Sequence, residues 1–183
     1  MIQELVAESL RGISAIESAV LPKIQLSPSE ILAANDYIRL HGDYTAYHLL
    51  LALRRKTPEE YKHIPDTVRA NILCSALVHL TYLNDWGYLD PGESHDGESA
   101  IALIEIGTDA LAYLEPILDD QRLAPLFGTE EATMSWIYRY RRSDFAYRYT
   151  SLIKGFTPSF DPKPEERDKE IGYLKTRLRN TSS

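Results

Sequence analysis

Cysteine is nearly absent from this chain of 183 residues, since Cys74 is the only one. A single cysteine permits no intramolecular disulfide and no cysteine-based metal motif. Such a composition suits a reducing compartment, so we expect a cytoplasmic protein.

The N-terminal segment also lacks the pattern of a secretory signal or a membrane span. Glu4, Glu8 and Glu17 interrupt its apolar residues, and no basic stretch precedes an unbroken apolar run. Both kinds of segment need that continuity. We therefore expect neither targeting to a membrane nor a membrane partner.

Motifs that carry catalysis or hold phosphates are missing as well. The sequence contains no G-x-S-x-G elbow, no P-loop, no dinucleotide-binding fingerprint and no H-E-x-x-H pair. The sequence therefore predicts no cofactor and gives no support for an enzyme, although catalytic groups can also assemble from distant residues.

Basic residues are outnumbered: 20 Lys and Arg stand against 27 Asp and Glu, giving a net charge of −7. This balance opposes binding to nucleic acid or anionic lipid and favours neutral or basic partners. The apolar fraction of 44% is enough to fill one sizeable core. One domain is the expectation.

Apolar residues recur at helical spacing along most of the chain, which predicts an all-α fold. We expect a single-domain helical bundle of about seven to nine helices over residues 1–155. An extended, proline-containing arm with a short C-terminal helix should follow over residues 156–183. The predicted helices of the N-terminal half cover residues 2–20, 28–40 after a Ser27 cap, 43–56 after an Asp43 cap, 58–63 after a Thr57 cap, and 66–84.

Two short apolar helical patterns meet at Gly107 within residues 98–120, which is the pattern of an antiparallel helical hairpin. The segment resembles one HEAT-type helical repeat. That resemblance implies hairpin geometry and the scaffolding role common in the family. The residues that carry it are Ala100, Leu103, Ile104, Ile106, Gly107, Ala110, Leu111, Leu114, Pro116, Leu118 and Asp120.

A long aromatic helix is predicted from a Thr129 cap to about Lys154, and it has two apolar stripes. One interpretation buries both stripes between neighbouring helices. The other interpretation makes the second stripe, with its flanking arginines, a groove for a partner, because Trp, Tyr and Arg anchor interfaces. The candidate partner- or ligand-binding residues are Trp136, Arg139, Tyr140, Arg142 and Tyr147.

Histidine and aspartate residues are the candidates for metal or acid–base chemistry. The His95-Asp96 pair resembles the core of an HD-type phosphohydrolase, yet it lies in a glycine-rich loop, and Asp96 is equally explained as a helix N-cap. We favour no metal site, and if one exists its candidates are His95 and Asp96. The wider set of candidate residues is His41, His48, His79, His95 and Asp96, with Asp85 and Glu98 near the predicted loop.

Two functional hypotheses result. The first is a protein–protein interaction or scaffold module that binds a protein or peptide partner, with a homodimer as one form. The second is a metal-dependent hydrolase or small-ligand-binding protein that uses the His/Asp cluster.

Overall fold

The computed structural model describes residues 1–128 and 130–181, and it confirms the all-α prediction. The chain forms two compact units, the first covering Met1–Asp85 and the second starting at Trp86. The predicted division into residues 1–155 and an arm stays a prediction. No helix in the described part of the chain is both long enough and apolar enough to cross a membrane.

The first unit is built from helices around a leucine-rich core. Leu49, Leu50, Leu53, Leu73 and Leu77 are fully buried in it. Helix α3 is central, because its residues are buried from Tyr47 to Leu53. Its helices are α1 (Ile2–Leu10), α2 (Pro28–His41), α3 (Tyr47–Lys56), α4 (Pro58–Lys62) and α5 (Asp66–His79).

Helix caps follow the sequence signals in part. Ser27 and Glu30 form the predicted capping box, in which the Glu30 carboxylate accepts from the Ser27 backbone N–H at 3.0 Å. Asp43 accepts from the Thr45 N–H at 3.0 Å, as a cap should. Thr57 is the N-cap residue of α4, as predicted, but its hydroxyl caps no backbone N–H and instead donates to the Leu53 carbonyl of the preceding helix.

Two predicted helices of the first unit are too long. The first ends at Leu10, not near residue 20, because Gly12 takes a left-handed conformation (φ 68°). Its carbonyl accepts from the Thr81 N–H at 2.8 Å. This contact also explains why α5 ends at His79, because the Thr81 N–H that would continue the helical hydrogen bonds is bound to Gly12 instead.

A buried carboxylate holds the turns that replace the end of the predicted first helix. Asp85 accepts from the backbone N–H groups of Ala15 at 2.5 Å and Ile16 at 3.2 Å. The Tyr47 hydroxyl donates to the same side chain at 2.7 Å. Burial raises the pKa of Asp85, against the effect of these hydrogen bonds.

The second unit adds a very small antiparallel hairpin to its helices, within the segment predicted as a loop. Gly87 pairs with Asp96 and Tyr88 with His95. Gly87 has φ 89°, and a Cβ there would lie 1.9 Å from the His95 carbonyl oxygen, so only glycine fits. The elements are β1 (Gly87–Tyr88), β2 (His95–Asp96), α6 (Glu98–Ile106), α7 (Leu111–Leu114), α8 (Glu130–Ile137), α9 (Arg142–Ile153) and α10 (Pro164–Thr181).

The segment that resembles a HEAT repeat bends at Gly107, which has φ 73°. Helix α6 precedes it, and a short α7 between two 3-10 turns follows it. Both α6 and α7 contact α9. The resemblance to a HEAT hairpin stays a prediction.

The single long aromatic helix was predicted wrongly, since α8 and α9 are separate helices. The break lies at residues 138–141, where Arg139 has φ 52°. The Tyr140 carbonyl accepts from the Ala124 N–H at 2.8 Å, and the Arg142 N–H donates to the Arg122 carbonyl at 3.1 Å. The predicted Thr129 cap lies outside the described residues.

Helix α10 packs on α9 within the second unit. Ile171 and Leu174, which the sequence placed on one side of the C-terminal helix, are both buried.

Candidate functional site

A recess of about 420 Å³ in the second unit brings together three of the predicted binding residues, Trp136, Arg139 and Tyr140. Leu123, Pro125 and Ser135 complete its lining. The recess is largely apolar, with one cationic side chain beside it.

The chain segment before α8 forms one wall of this recess. It pairs with the break between α8 and α9 in a short antiparallel bridge between Leu123 and Arg141. The Leu126 N–H donates to the Ser135 hydroxyl at 3.3 Å, which ties the segment to the buried side of α8. The wall is therefore fixed at both ends by hydrogen bonds.

Tyr140 forms the rigid floor of the recess and is almost fully buried. Its hydroxyl donates to the Leu89 carbonyl, and its ring meets the rings of Phe145 at 5.9 Å and Phe160 at 5.5 Å, both edge to face. Burial raises the pKa of its hydroxyl, so the floor is uncharged.

Several large apolar side chains are exposed between residues 123 and 137, and two of them, Leu123 and Trp136, line the recess. We call Leu123, Phe127, Trp136 and Ile137 the α8 surface. Their exposed fractions are 55%, 52%, 77% and 68%, respectively. Single exposed apolar residues are ordinary, but several within a 15-residue stretch, two of them beside one recess, indicate a binding surface.

Arg139 is held at the edge of the recess by a second arginine. Arg167 donates to the carbonyls of Tyr138 at 2.8 Å and Arg139 at 3.2 Å. Its guanidinium Nε also lies 3.2 Å from the Asp144 carboxylate. The Arg139 side chain itself is exposed, and among residues 1–128 and 130–181 no carboxylate forms an ion pair with it.

The other two predicted binding residues do not line this recess. Arg142 is buried, and burial together with the nearby Arg122 lowers its pKa. Tyr147 is half-buried in a different recess with Phe156 and Leu174. The predicted stripe and its flanking arginines required an unbroken helix, and the break at Arg139 separates them.

Leu123, Phe127 and Ile137 were not among the predicted binding residues. A signal was present, because residues 123–127 read LAPLF immediately before Gly128. Such an apolar run next to a turn residue is a candidate for an exposed surface.

The histidines of the competing hypothesis have separate environments. His41 stacks on Tyr37, and His79 stacks on Tyr44 at 4.2 Å between ring centroids. His95 stacks on Tyr88. Within the described part of the chain, no three His, Cys, Asp or Glu side chains come together in a group that could hold a metal ion.

His48 lies in a buried polar cluster of the first unit. Its Nδ1 lies 2.8 Å from the Ser9 hydroxyl, and its Nε2 lies 4.0 Å from a carboxylate oxygen of the buried Glu8. Burial lowers the pKa of His48 to about 4, outweighing the opposite effect of Glu8. A fully buried serine–histidine–glutamate arrangement is inaccessible to a substrate.

Asp96 is engaged by an arginine and does not cap a helix. It forms a bidentate pair with Arg148, at 2.8 and 3.0 Å, while Gly97 is the N-cap of α6. Arg141 and Asp144 form a separate ion pair at 2.9 Å, and both are buried.

Comparison of the chain with protein-family models, with curated proteins and with solved structures found no match. The geometry of the site is therefore the basis for a functional proposal.

Proposed function

We propose that the protein is a protein–protein interaction module, and that the α8 surface binds an apolar segment of a partner protein. The exposure of Trp136 beside a preformed recess is the observation that supports this proposal. Large aromatic side chains contribute most to binding when a partner removes them from water, and tryptophan is among the most enriched residues at such positions.

The recess suits a protruding side chain better than a flat contact. Its floor, Tyr140, is fixed by the Leu89 carbonyl and by two aromatic rings. Binding therefore costs little conformational entropy at this side chain. Arg139 at its edge adds a cation for a polar contact on the same partner. An apolar anchor with a polar group next to it is the usual composition of a protein interface.

Peptide selection tests the proposal directly. A displayed random-peptide library is selected on the immobilised full chain. We expect enriched peptides that carry bulky apolar residues, and we expect their dissociation constants to rise at least about tenfold for Trp136→Ala.

Tryptophan fluorescence supplies an independent measurement. The chain has two tryptophans, and Trp86 is fully buried while Trp136 is exposed. A bound peptide should therefore shift the emission of Trp136 to shorter wavelength and protect it from iodide quenching.

Tyr173→Ala is the matched control, because it removes an exposed aromatic side chain from α10. A peptide pool that binds the Trp136→Ala and Tyr173→Ala variants as tightly as the original chain would contradict the proposal.

A further inference from the structure

We propose that the partner segment bound at the α8 surface is acidic: a bulky apolar side chain enters the recess, and a neighbouring aspartate or glutamate of the partner binds Arg139. This inference rests on the proposed function and names the chemistry of the partner. The observation behind it is an excess of arginine around the recess, in a chain whose net charge is −7.

Arginines around the junction between α8 and α9 outnumber the carboxylates that interact with them. Within the described residues, this arginine cluster consists of Arg122, Arg139, Arg141, Arg142 and Arg167 together with Asp120, Asp144 and Asp168. Five positive side chains thus stand against three negative ones. The local charge is positive, although the chain as a whole is acidic.

Arg139 is the exposed member of this cluster that lacks a counter-ion. The Asp144 carboxylate is shared, since it lies 2.9 Å from Arg141 and 3.2 Å from Arg167. Over residues 1–128 and 130–181, the Arg139 side chain forms no ion pair. A partner carboxylate could therefore bind its guanidinium through two parallel hydrogen bonds without displacing another group.

Arg139 also lies where two recesses adjoin. Together with Leu123 it lines both the apolar recess and a second recess of about 260 Å³, which Gln121, Arg141 and Pro164 complete. The Gln121 amide oxygen accepts from Arg141 at 2.5 Å. The second recess is therefore polar and cationic where the first is apolar.

One short peptide can use both recesses. Consecutive Cα atoms of an extended chain are about 3.8 Å apart, so adjacent residues can place an apolar side chain in one recess and a carboxylate at the next. The arrangement selects a bulky apolar residue with an acidic residue beside it.

The composition of the whole chain favours neutral or basic partners, but the charge beside the recess has the opposite sign. At physiological ionic strength the Debye length is about 8 Å, so acidic groups elsewhere on the chain are largely screened. An ion pair at an exposed edge adds little affinity, whereas two like charges there are costly. Arg139 therefore acts mainly by excluding a basic neighbour of the apolar anchor.

A protein segment fits this site better than a nucleic acid does. Phosphate backbones are bound through several cations at once. Among the described residues that line the apolar recess, Arg139 is the one cation, and the remaining lining is apolar apart from Ser135 and the Tyr140 hydroxyl.

Parallel selections provide the test. The displayed peptide library is selected on the original chain and, separately, on Arg139→Glu. Peptides from the original chain should carry aspartate or glutamate next to the bulky apolar residue. Peptides from Arg139→Glu should carry lysine or arginine at that position, because the charge they meet is reversed.

A double-mutant cycle then measures the contact itself. A selected peptide is made with an amidated C-terminus, and its acidic residue is replaced by the matching amide. On the original chain this replacement should raise the dissociation constant roughly twofold to fivefold, the range of an exposed ion pair. On Arg139→Gln it should have no further effect. The acidic peptide should bind Arg139→Glu at least about tenfold more weakly than the original chain.

Arg39→Glu is the matched control, because it makes the same charge reversal at an exposed arginine of α2 in the first unit. Its selected peptides and their dissociation constants should match those of the original chain. Circular dichroism and thermal unfolding show whether each variant retains the fold, and Arg139→Lys, which keeps the charge, should retain most of the binding.

The outcomes separate this inference from the proposed function. Peptides that bind through Trp136 but show no acidic enrichment, and bind Arg139→Glu equally well, would overturn the acidic partner and retain the interaction module. Absence of any peptide binding through Trp136 would remove both. A single-stranded oligonucleotide that binds more tightly than the selected peptides, and loses affinity on Arg139→Glu, would also overturn the inference in favour of a nucleic acid.

Discussion

Burial makes the stability of the fold depend on the protonation of His48. The imidazole lies between Ser9 and Glu8 in the core of the first unit, and its Nε2 has no hydrogen-bond partner among the described residues. Arg55, on the same helix, also disfavours the charged ring. The sequence reveals a histidine on an apolar helix, whereas only the packing explains why it stays neutral.

We expect the free energy of unfolding to fall as the pH drops from 6.5 to about 4. Unfolded His48 takes up a proton near pH 6.5, whereas the folded pKa is about 4. The unfolded state therefore binds more protons in this window, and the loss approaches about 3 kcal/mol at its lower end. Asp85, whose pKa burial raises, acts in the opposite direction.

Urea denaturation at about pH 7 and about pH 5, on either side of the ordinary histidine pKa, measures this effect. His48→Gln separates it from that of Asp85, and the variant should show a clearly weaker pH dependence than the original chain. His95→Gln, which changes an exposed histidine, should leave the dependence intact. Identical profiles for the original chain and His48→Gln would contradict the interpretation.

At the scale of elements, the junction between α8 and α9 matters most for the candidate site. A left-handed conformation costs a residue with a side chain roughly 1–2 kcal/mol, and Arg139 adopts it at φ 52°. Arg167 offsets this cost, because it donates hydrogen bonds to two backbone carbonyls of the junction. Unfavourable backbone geometry of this kind often lies at functional sites.

Arg139→Gly should therefore stabilise the fold while weakening binding. Glycine accepts positive φ without strain, so the free energy of unfolding should rise by up to about 1 kcal/mol. Urea denaturation gives this value. Peptides selected on the original chain should bind this variant more weakly, because the cation beside the recess is gone.

Arg139→Lys is the companion variant, since it keeps the charge and the unfavourable φ. It should change stability little and retain most of the peptide binding. If Arg139→Gly proves less stable than Arg139→Lys, the left-handed residue is not a source of strain.

The residues after Gly155 belong to the packing of the second unit. Phe160 contacts the rings of Tyr138 and Tyr140, and the Arg167 guanidinium lies 4.6 Å from the Phe160 ring centroid. Arg167 also pairs with the buried Asp144. The C-terminal segment thus supports the floor of the recess from below.

Truncation after Gly155 should expose Tyr140 and destabilise the second unit. Phe160, Arg167 and the buried Ile171 and Leu174 are removed together, so we expect increased binding of a hydrophobic dye and a lower unfolding midpoint. Trp136 is already exposed, and its emission should change little. Ending the chain after Leu178 is the control and should leave the midpoint within error.

If the chain shortened after Gly155 unfolds at the same midpoint and binds no more dye, the segment contributes nothing to the packing. Residues 156–183 would then be an arm that does not pack on the rest of the second unit.

The sequence by itself determined the features that depend on nearby residues. Helical spacing of apolar residues indicated the all-α class, and Ser27-Pro28-Ser29-Glu30 located the start of α2. Leu73 and Leu77, four positions apart within the predicted helix over residues 66–84, are fully buried. These features could be predicted because the hydrogen bonds and the apolar face of one helix depend on residues three and four positions apart.

Tertiary structure decided the features that depend on distant residues. The end of α1 follows from Thr81 binding the Gly12 carbonyl, and the break before α9 follows from Ala124 binding the Tyr140 carbonyl. Helical periodicity contains no information about such competing partners. That break exposes Trp136 while burying Tyr140, so the recess arises from contacts that no local pattern in the sequence encodes.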